Sequence, residues 1–184
     1  MEIANLIKTR WSPRAFTDHT LSNEEVLSLF EAARWAPSSM NEQPWKYYYA
    51  PREDVENFNK FIDCLLPGNQ VWAKNASMLI ISTAKKHFDY KGRPNRHAMH
   101  DTGAANTMIC LQANHLGYQA HQMGGFDQDR TYETFGIDSE IYDLVSFIAV
   151  GKKGDPSILP DKLRESEIKP RERKRLDDIV NRIN

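Results

Sequence analysis

Three short stretches of this chain combine residue types that could do chemistry. The first, Arg10-Trp11-Ser12-Pro13-Arg14, sets two guanidinium groups around a hydroxyl within five residues, with Phe16 close behind. Arginine offers a planar fork of donors that matches phosphate oxygens, and serine adds one more, so the stretch reads as an anion site. A plainer reading competes with it: a helix C-terminus, where basic residues complement the dipole and Ser-Pro starts a turn. The second stretch is Pro37-Ser38-Ser39-Met40-Asn41-Glu42-Gln43-Pro44-Trp45. Hydroxyl and amide side chains between two prolines make a stiff loop that can present several hydrogen-bonding groups to a polar heterocycle or a sugar-alcohol chain. An ordinary helix-to-strand connection has the same composition. The third is Gln122-Met123-Gly124-Gly125-Phe126-Asp127. Paired glycines let the backbone approach a flat ligand with its amides free to donate, although a tight turn accounts for them as well. Neither GxGxxG nor GxxxxGK[ST] occurs, so no dinucleotide fingerprint or nucleotide phosphate loop is indicated.

Other reactive side chains read as structural. His97, His100 and Asp101 could meet on one helix, but no second helix offers matching ligands, so surface or interface histidines are expected and no metal. His121, beside the glycine turn, reads as a strand histidine facing the core or an interface. Cys110, within an apolar helical run, reads as packing and not as a nucleophile. With Cys64 it completes the cysteine content, in no CxxC pattern, which points to two buried free thiols in a reducing compartment.

The elements that must position these groups are legible in the hydrophobic pattern. Ser22-Asn23-Glu24-Glu25 is a capping box, and Val26, Leu29, Phe30 and Ala33 recur on one face of the helix it opens. That helix should stop near Trp35-Ala36, before Pro37. Trp45–Ala50 reads as an aromatic-rich strand, and Val55–Leu66 as a helix closed by Pro67-Gly68. Met78–Thr83 reads as a strand covered on both faces. His97–Leu116 is the longest helix, its apolar residues spread over an arc wide enough for burial on several sides, with Gly117 as C-cap. Tyr118–Met123 and Leu144–Val150 are further strands, with a short helix at Asp129–Phe135 between them, and Lys85–Arg96 is a polar loop. Helices and strands alternating in this way give an α/β or α+β layered architecture. Asp161–Arg175 carries seven Lys or Arg and four Asp or Glu, too polar for a core of its own, so it is a disordered tail or an arm laid across something else.

The whole chain sets bounds. Its 184 residues fit one domain, and a net charge of −1 lacks the broad positive field of a general nucleic-acid binder. The start has no basic n-region or long apolar stretch, and no run approaches the roughly 20 residues that cross a bilayer. A cytoplasmic protein with neither nucleic-acid nor membrane partner is expected.

In order and spacing, the motifs resemble the nitroreductase family: R-x-S-x-R at Arg10–Arg14, A-P-S-S-x-N-x-Q-P-W at Ala36–Trp45, L-G-x(6)-G-G-F-D at Leu116–Asp127, and a V-A-V-G-like segment at Ile148–Gly151. Pro170-Arg171-Glu172-Arg173-Lys174 is similar to the family's C-terminal phosphate-contacting stretch. The resemblance implies an α+β three-layer sandwich, a central mostly antiparallel sheet flanked by helices. It also implies one FMN-binding domain over 1–184, with about 155–184 forming an extended arm exchanged across a homodimer. FMN would lie in two clefts at the dimer interface. Arg10, Arg171 and Arg173 would hold its phosphate, with Ser12 and Trp11 nearby. Arg14 would sit at the pyrimidine end of the isoalloxazine, where a cation favours the anionic reduced flavin. Pro37, Ser38, Ser39 and Asn41 would reach the flavin from the other subunit, Gly124 and Gly125 would donate backbone N–H groups toward N5 and O4, and Asn69 or Gln70 would touch the N3/O2 edge. Two departures stand out: Gly-Gly replaces a frequent Glu-Gly, removing an acidic side chain, and Trp11 stands where relatives often have histidine. The implied activity is ping-pong reduction of nitroaromatics, quinones or related small acceptors by NAD(P)H. Reductive dehalogenation, flavin fragmentation and non-catalytic flavin binding remain alternatives, and the choice of nucleotide rests with Phe61–Trp72 and Lys85–Arg96.

Overall fold

The computed structural model describes residues 2–183. Four strands form one sheet in the order β1-β2-β4-β3: β1 (Trp45–Pro51), β2 (Met78–Lys85), β3 (Gln119–Met123) and β4 (Tyr142–Gly151). Every pairing is antiparallel. Central β2 reads Met78-Leu79-Ile80-Ile81, and side chains alternate faces along a strand. Leu79 and Ile81, with Phe147 and Ala149 of β4, pack against Phe58, Phe61 and Cys64 of α3 (Val55–Cys64) and Trp72 of α4 (Pro67–Ala73). On the other face Met78, Ile80, Ile148 and Val150 meet α2 (Asn23–Arg34) and α5 (Ala98–His115). The result is the expected sandwich of helices, sheet and helices.

Local signals explain the helix boundaries. Ser22 Oγ accepts the Glu25 amide at 3.2 Å while the Glu25 carboxylate accepts the Ser22 amide at 2.8 Å, and α2 ends three residues before Pro37. α5 ends at His115, and two residues on Gly117, with φ of +81°, turns the chain away in the left-handed region. α6 (Gln128–Phe135) starts one residue before its expected span, with Asp127 accepting the Arg130 amide at 3.0 Å.

Four features depart from the expectations. A short helix, α1 (Asn5–Thr9), precedes Arg10, so the plainer reading of that arginine as a helix C-cap is part of the truth. Pro67 begins α4 instead of closing α3, because a proline is as well suited to a first helical turn as to a stop. α5 buries one stripe, including Asp101, Ala105, Ile109 and Ala113, while its Met108 and Leu111 face borders an open groove of about 340 Å³ with Leu6, Ala32, Gln112 and His115. The polar C-terminal segment contains a helix, α7 (Asp161–Ile168), before its exposed end with Leu176, Ile179, Val180 and Ile183.

Candidate functional site

The N-terminal stretch is brought against the sheet by close backbone approach. Phe16 bridges Lys153, the Thr17 amide donates to the Lys152 carbonyl at 2.9 Å, and the Gly154 amide to the Ala15 carbonyl at 2.8 Å. A Cβ on Gly154 would lie 2.8 Å from the Phe16 carbonyl carbon, so the crossing needs glycine. Inside the turn, Arg10 Nη1 donates to Ser12 Oγ at 3.0 Å, and the Trp11 amide donates to Gln119 Oε1 of β3 at 2.6 Å.

Two residues that sequence reasoning left outside the site hold this turn. His121 on β3 faces the Pro13 carbonyl through Nδ1 at 2.9 Å, and its ring packs 4.6 Å from that of Trp72. Burial holds its pKa down to about 4, with the Arg14 and Arg10 charges acting the same way against the Pro13 hydrogen bond, so the ring is neutral and Nδ1 carries its proton. Glu167, from α7, accepts the Arg14 amide at 3.1 Å and the Trp11 indole N–H at 3.3 Å. Position beside a glycine turn was the sole signal for His121. Glu167 had none, being one carboxylate in a charged run.

Basic groups gather above the turn. Arg10, Trp11, Ser12, Arg171 and Arg173 line a pocket of about 160 Å³. Trp11 lies under two cations, with the Arg171 guanidinium 5.3 Å and Lys153 Nζ 5.6 Å from its ring centroid. Arg171 also donates to the carbonyls of Lys8 and Arg10, which caps α1. A second pocket of about 230 Å³ shares Arg10 and Ser12 and adds Thr107, Cys110 and Gln122. Gln122 donates to Cys110 Sγ at 3.7 Å, and burial pushes the Cys110 thiol up, away from thiolate chemistry. Behind Gln122, buried Asn106 donates to Ser82 Oγ at 2.8 Å and to Gln122 Oε1 and Ser146 Oγ at 3.3 Å, and accepts from the Tyr47 hydroxyl at 3.0 Å.

Two residues beyond Gln122 the chain reaches Gly124 and Gly125. The Gly125 carbonyl accepts from the Leu66 amide at 3.1 Å and from Asn69 Nδ2 at 2.9 Å, and a Cβ on Gly125 would lie 2.7 Å from that nitrogen. Asn69 therefore borders the glycine turn. The Gln70 amide is turned inward to the Ile62 and Leu65 carbonyls at 3.1 and 2.9 Å.

The Pro37–Asn41 loop stands apart from this cluster. The Ser39 amide donates to Asp101 Oδ2 at 2.9 Å in the first turn of α5, whereas Arg10 and Ser12 lie near Thr107 and Cys110, roughly 9–14 Å along the helix at 1.5 Å per residue. Met40, Asn41 and Gln43 have φ of 55°, 56° and 51°, an uncommon left-handed run held by the Gln43 amide donating to Ser38 Oγ at 3.0 Å. His100 Nδ1 lies 2.9 Å from Asp101 Oδ1, so the carboxylate that accepts the Ser39 amide also meets this histidine. Among the described residues, no group of three His, Cys, Asp or Glu is placed to hold a metal ion, and no helix is long and apolar enough to cross a membrane. Cys64 and Cys110 are both buried and unpaired with each other. Of the expected selectivity segments, Phe61 and Trp72 lie in the core, and Lys85–Arg96 is a loop pinned by a bridge between His87 and Pro94.

Comparison with known proteins agrees with this geometry. The family model described as "Nitroreductase family" matches residues 7–152. The oxygen-insensitive NADPH nitroreductase of Helicobacter acinonychis (strain Sheeba) is 32% identical over 181 residues, covering 80% of this chain and 86% of the relative. A CLA biosynthesis enone reductase of Lactiplantibacillus plantarum is 22% identical over 187 residues, covering 82% and 85%. A crystal structure described as "the oxidoreductase containing FMN" superposes with a TM-score of 0.93 at 39% identity, covering 98% of this chain and 91% of that one. With the Arg10–Arg14 turn, the glycine turn and the sheet between them all inside the matched span, the chain belongs to the nitroreductase family.

Proposed function

We propose that this protein is an FMN-dependent oxidoreductase that takes electrons from NAD(P)H and passes them to a nitroaromatic, quinone, enone or similar small acceptor. The observation that carries this reading is the convergence of Arg10, Ser12 and Arg173 on one pocket that runs, through Arg10 and Ser12, into the cleft lined by Thr107, Cys110 and Gln122. Guanidinium forks and a hydroxyl fit a phosphate monoester. The structure described as an FMN-containing oxidoreductase and the nitroreductase and enone reductase relatives support the choice of cofactor and acceptor class.

When bound, FMN supplies the redox chemistry. The protein supplies position and charge. Arg10 and Arg173 hold the phosphate, with Ser12 beside them and Arg171 holding the C-terminus of α1 against the same pocket. Arg14 places positive charge at the pyrimidine end of the ring, and the Gly124 and Gly125 backbone reaches the opposite edge. Asn69 fixes that backbone by its hydrogen bond to the Gly125 carbonyl, 2.9 Å long.

The cleft also implies a second copy. Within one chain the Pro37–Asn41 loop is anchored on the first turn of α5, away from the pocket that Arg10 and Ser12 line, and a second copy would bring such a loop to it. The Met108–Leu111 groove and the exposed apolar residues of the C-terminal arm are unused surface within one chain. We place a homodimer there, with the exposed end of the arm beyond α7 laid against the other copy and Pro37, Ser38, Ser39 and Asn41 of one copy facing the cofactor of the other. Buried free thiols fit a reducing, cytoplasmic setting.

The test is spectroscopic. Purified protein should take up FMN more tightly than riboflavin, and Arg173→Ala should abolish that preference. NADH or NADPH should bleach the bound flavin without air, and a nitroaromatic should restore its colour. A protein that takes up no FMN refutes the site, and a flavin that stays oxidised with both nucleotides refutes the reductase. Light scattering should give a dimer mass.

A further inference from the structure

The arm carries one deeply buried charge. Glu167 is 5% exposed and is the only buried residue of α7. Its carboxylate accepts the Arg14 amide at 3.1 Å and the Trp11 indole N–H at 3.3 Å, and lies 3.9 Å from Arg14 Nη1. All of these partners belong to the anion-binding turn, 153 to 156 residues away in sequence. Burying a carboxylate is costly unless it is paired and hydrogen-bonded, and here the turn alone satisfies it. Leu163 adds a partly buried apolar contact, but the one deep contact of the helix is charged. That contact fixes where the C-terminal end of the helix sits.

Two consequences follow from where this carboxylate sits. Arg171 and Arg173 stand four and six residues beyond it, so the seat of α7 decides whether their guanidinium groups reach the pocket they line with Arg10. The same carboxylate also lies 3.9 Å from the guanidinium of Arg14, the group that the FMN reading puts at the pyrimidine end of the ring, and opposes its charge. We propose that Glu167 is a positioning residue that couples docking of the C-terminal arm to cofactor phosphate binding, and that its charge, by balancing Arg14, sets how strongly the site favours the reduced over the oxidised flavin. This inference rests on the FMN reading above and goes beyond it, since Glu167 touches neither cofactor nor substrate.

The experiment compares full-length wild type, Glu167→Ala and Glu167→Gln, each titrated with FMN and with riboflavin by flavin fluorescence. Tryptic cleavage at Arg171–Arg175 and the midpoint potential of the bound flavin are measured in parallel. Glu167→Ala should weaken FMN about tenfold or more and riboflavin far less, and should speed cleavage of the arm. Glu167→Gln keeps an acceptor for the Arg14 amide and should leave cleavage near wild type. It should nonetheless raise the potential by about 30 mV, equivalent to about tenfold tighter retention of reduced over oxidised flavin. Unchanged FMN affinity in Glu167→Ala, or an unchanged potential in Glu167→Gln, overturns the proposal while leaving the FMN site intact. If Glu167→Ala does not fold, the potential of Glu167→Gln decides alone. A wild-type protein without FMN affinity sinks the functional reading and this inference with it.

Discussion

His121 offers a direct test of how the Arg10–Arg14 turn is held. Its imidazole is partly buried between Trp72 and the Pro13 carbonyl, and burial, reinforced by the Arg14 and Arg10 charges, keeps its pKa at about 4. In the unfolded chain a histidine titrates near 6.5. Below that pH the unfolded state binds a proton that the folded state refuses, so stability falls as pH drops from about 6.5 toward about 4 and levels off below. At about 1.4 kcal/mol per tenfold difference in proton affinity, the full effect is about 3 kcal/mol, and about 2 kcal/mol of it develops between about pH 7 and pH 5. Urea denaturation at those two pH values should show this loss in the wild type. Other titrating groups are common to both proteins, so the loss unique to His121 is the difference from the non-titrating variant His121→Gln measured in parallel. The reasoning fails if the two proteins lose the same stability over that interval, or if NMR titration of the imidazole gives a pKa near 6.5.

Two further substitutions test the supports of the site by chemical denaturation. Gly154→Ala should cost roughly 1–3 kcal/mol and exceed Gly151→Ala, because its new Cβ meets the Phe16 backbone at 2.8 Å, whereas the nearest atom to a Cβ on Gly151 is the Phe16 ring carbon Cδ1, also at 2.8 Å. Asn106→Leu should cost about 3 kcal/mol by stranding the Tyr47, Ser82 and Gln122 polar groups, and unaltered stability would remove that network from the account.

What could be read directly from the chain was local. The Ser22–Glu25 capping box, the stop before Pro37, the continuous apolar run of β2 and the Gly117 cap each depend on neighbours a few residues apart, and each is present as expected. The Arg10–Arg14, Ala36–Trp45 and Gly124-Gly125 motifs were legible as a family pattern. Local ambiguity explains the misread helix end at Pro67, since one residue type both stops and starts helices. Tertiary structure decided the rest. Nothing near His121 in sequence announces the Pro13 carbonyl, 108 residues away, and nothing in a charged run singles out Glu167 as the carboxylate that enters the interior. Burial and pairing are long-range properties, fixed only when the sheet carries β3 beneath the turn and α7 closes over it. Sequence thus singled out the arginines of the turn, and the folded chain determined which histidine and which glutamate pack against it.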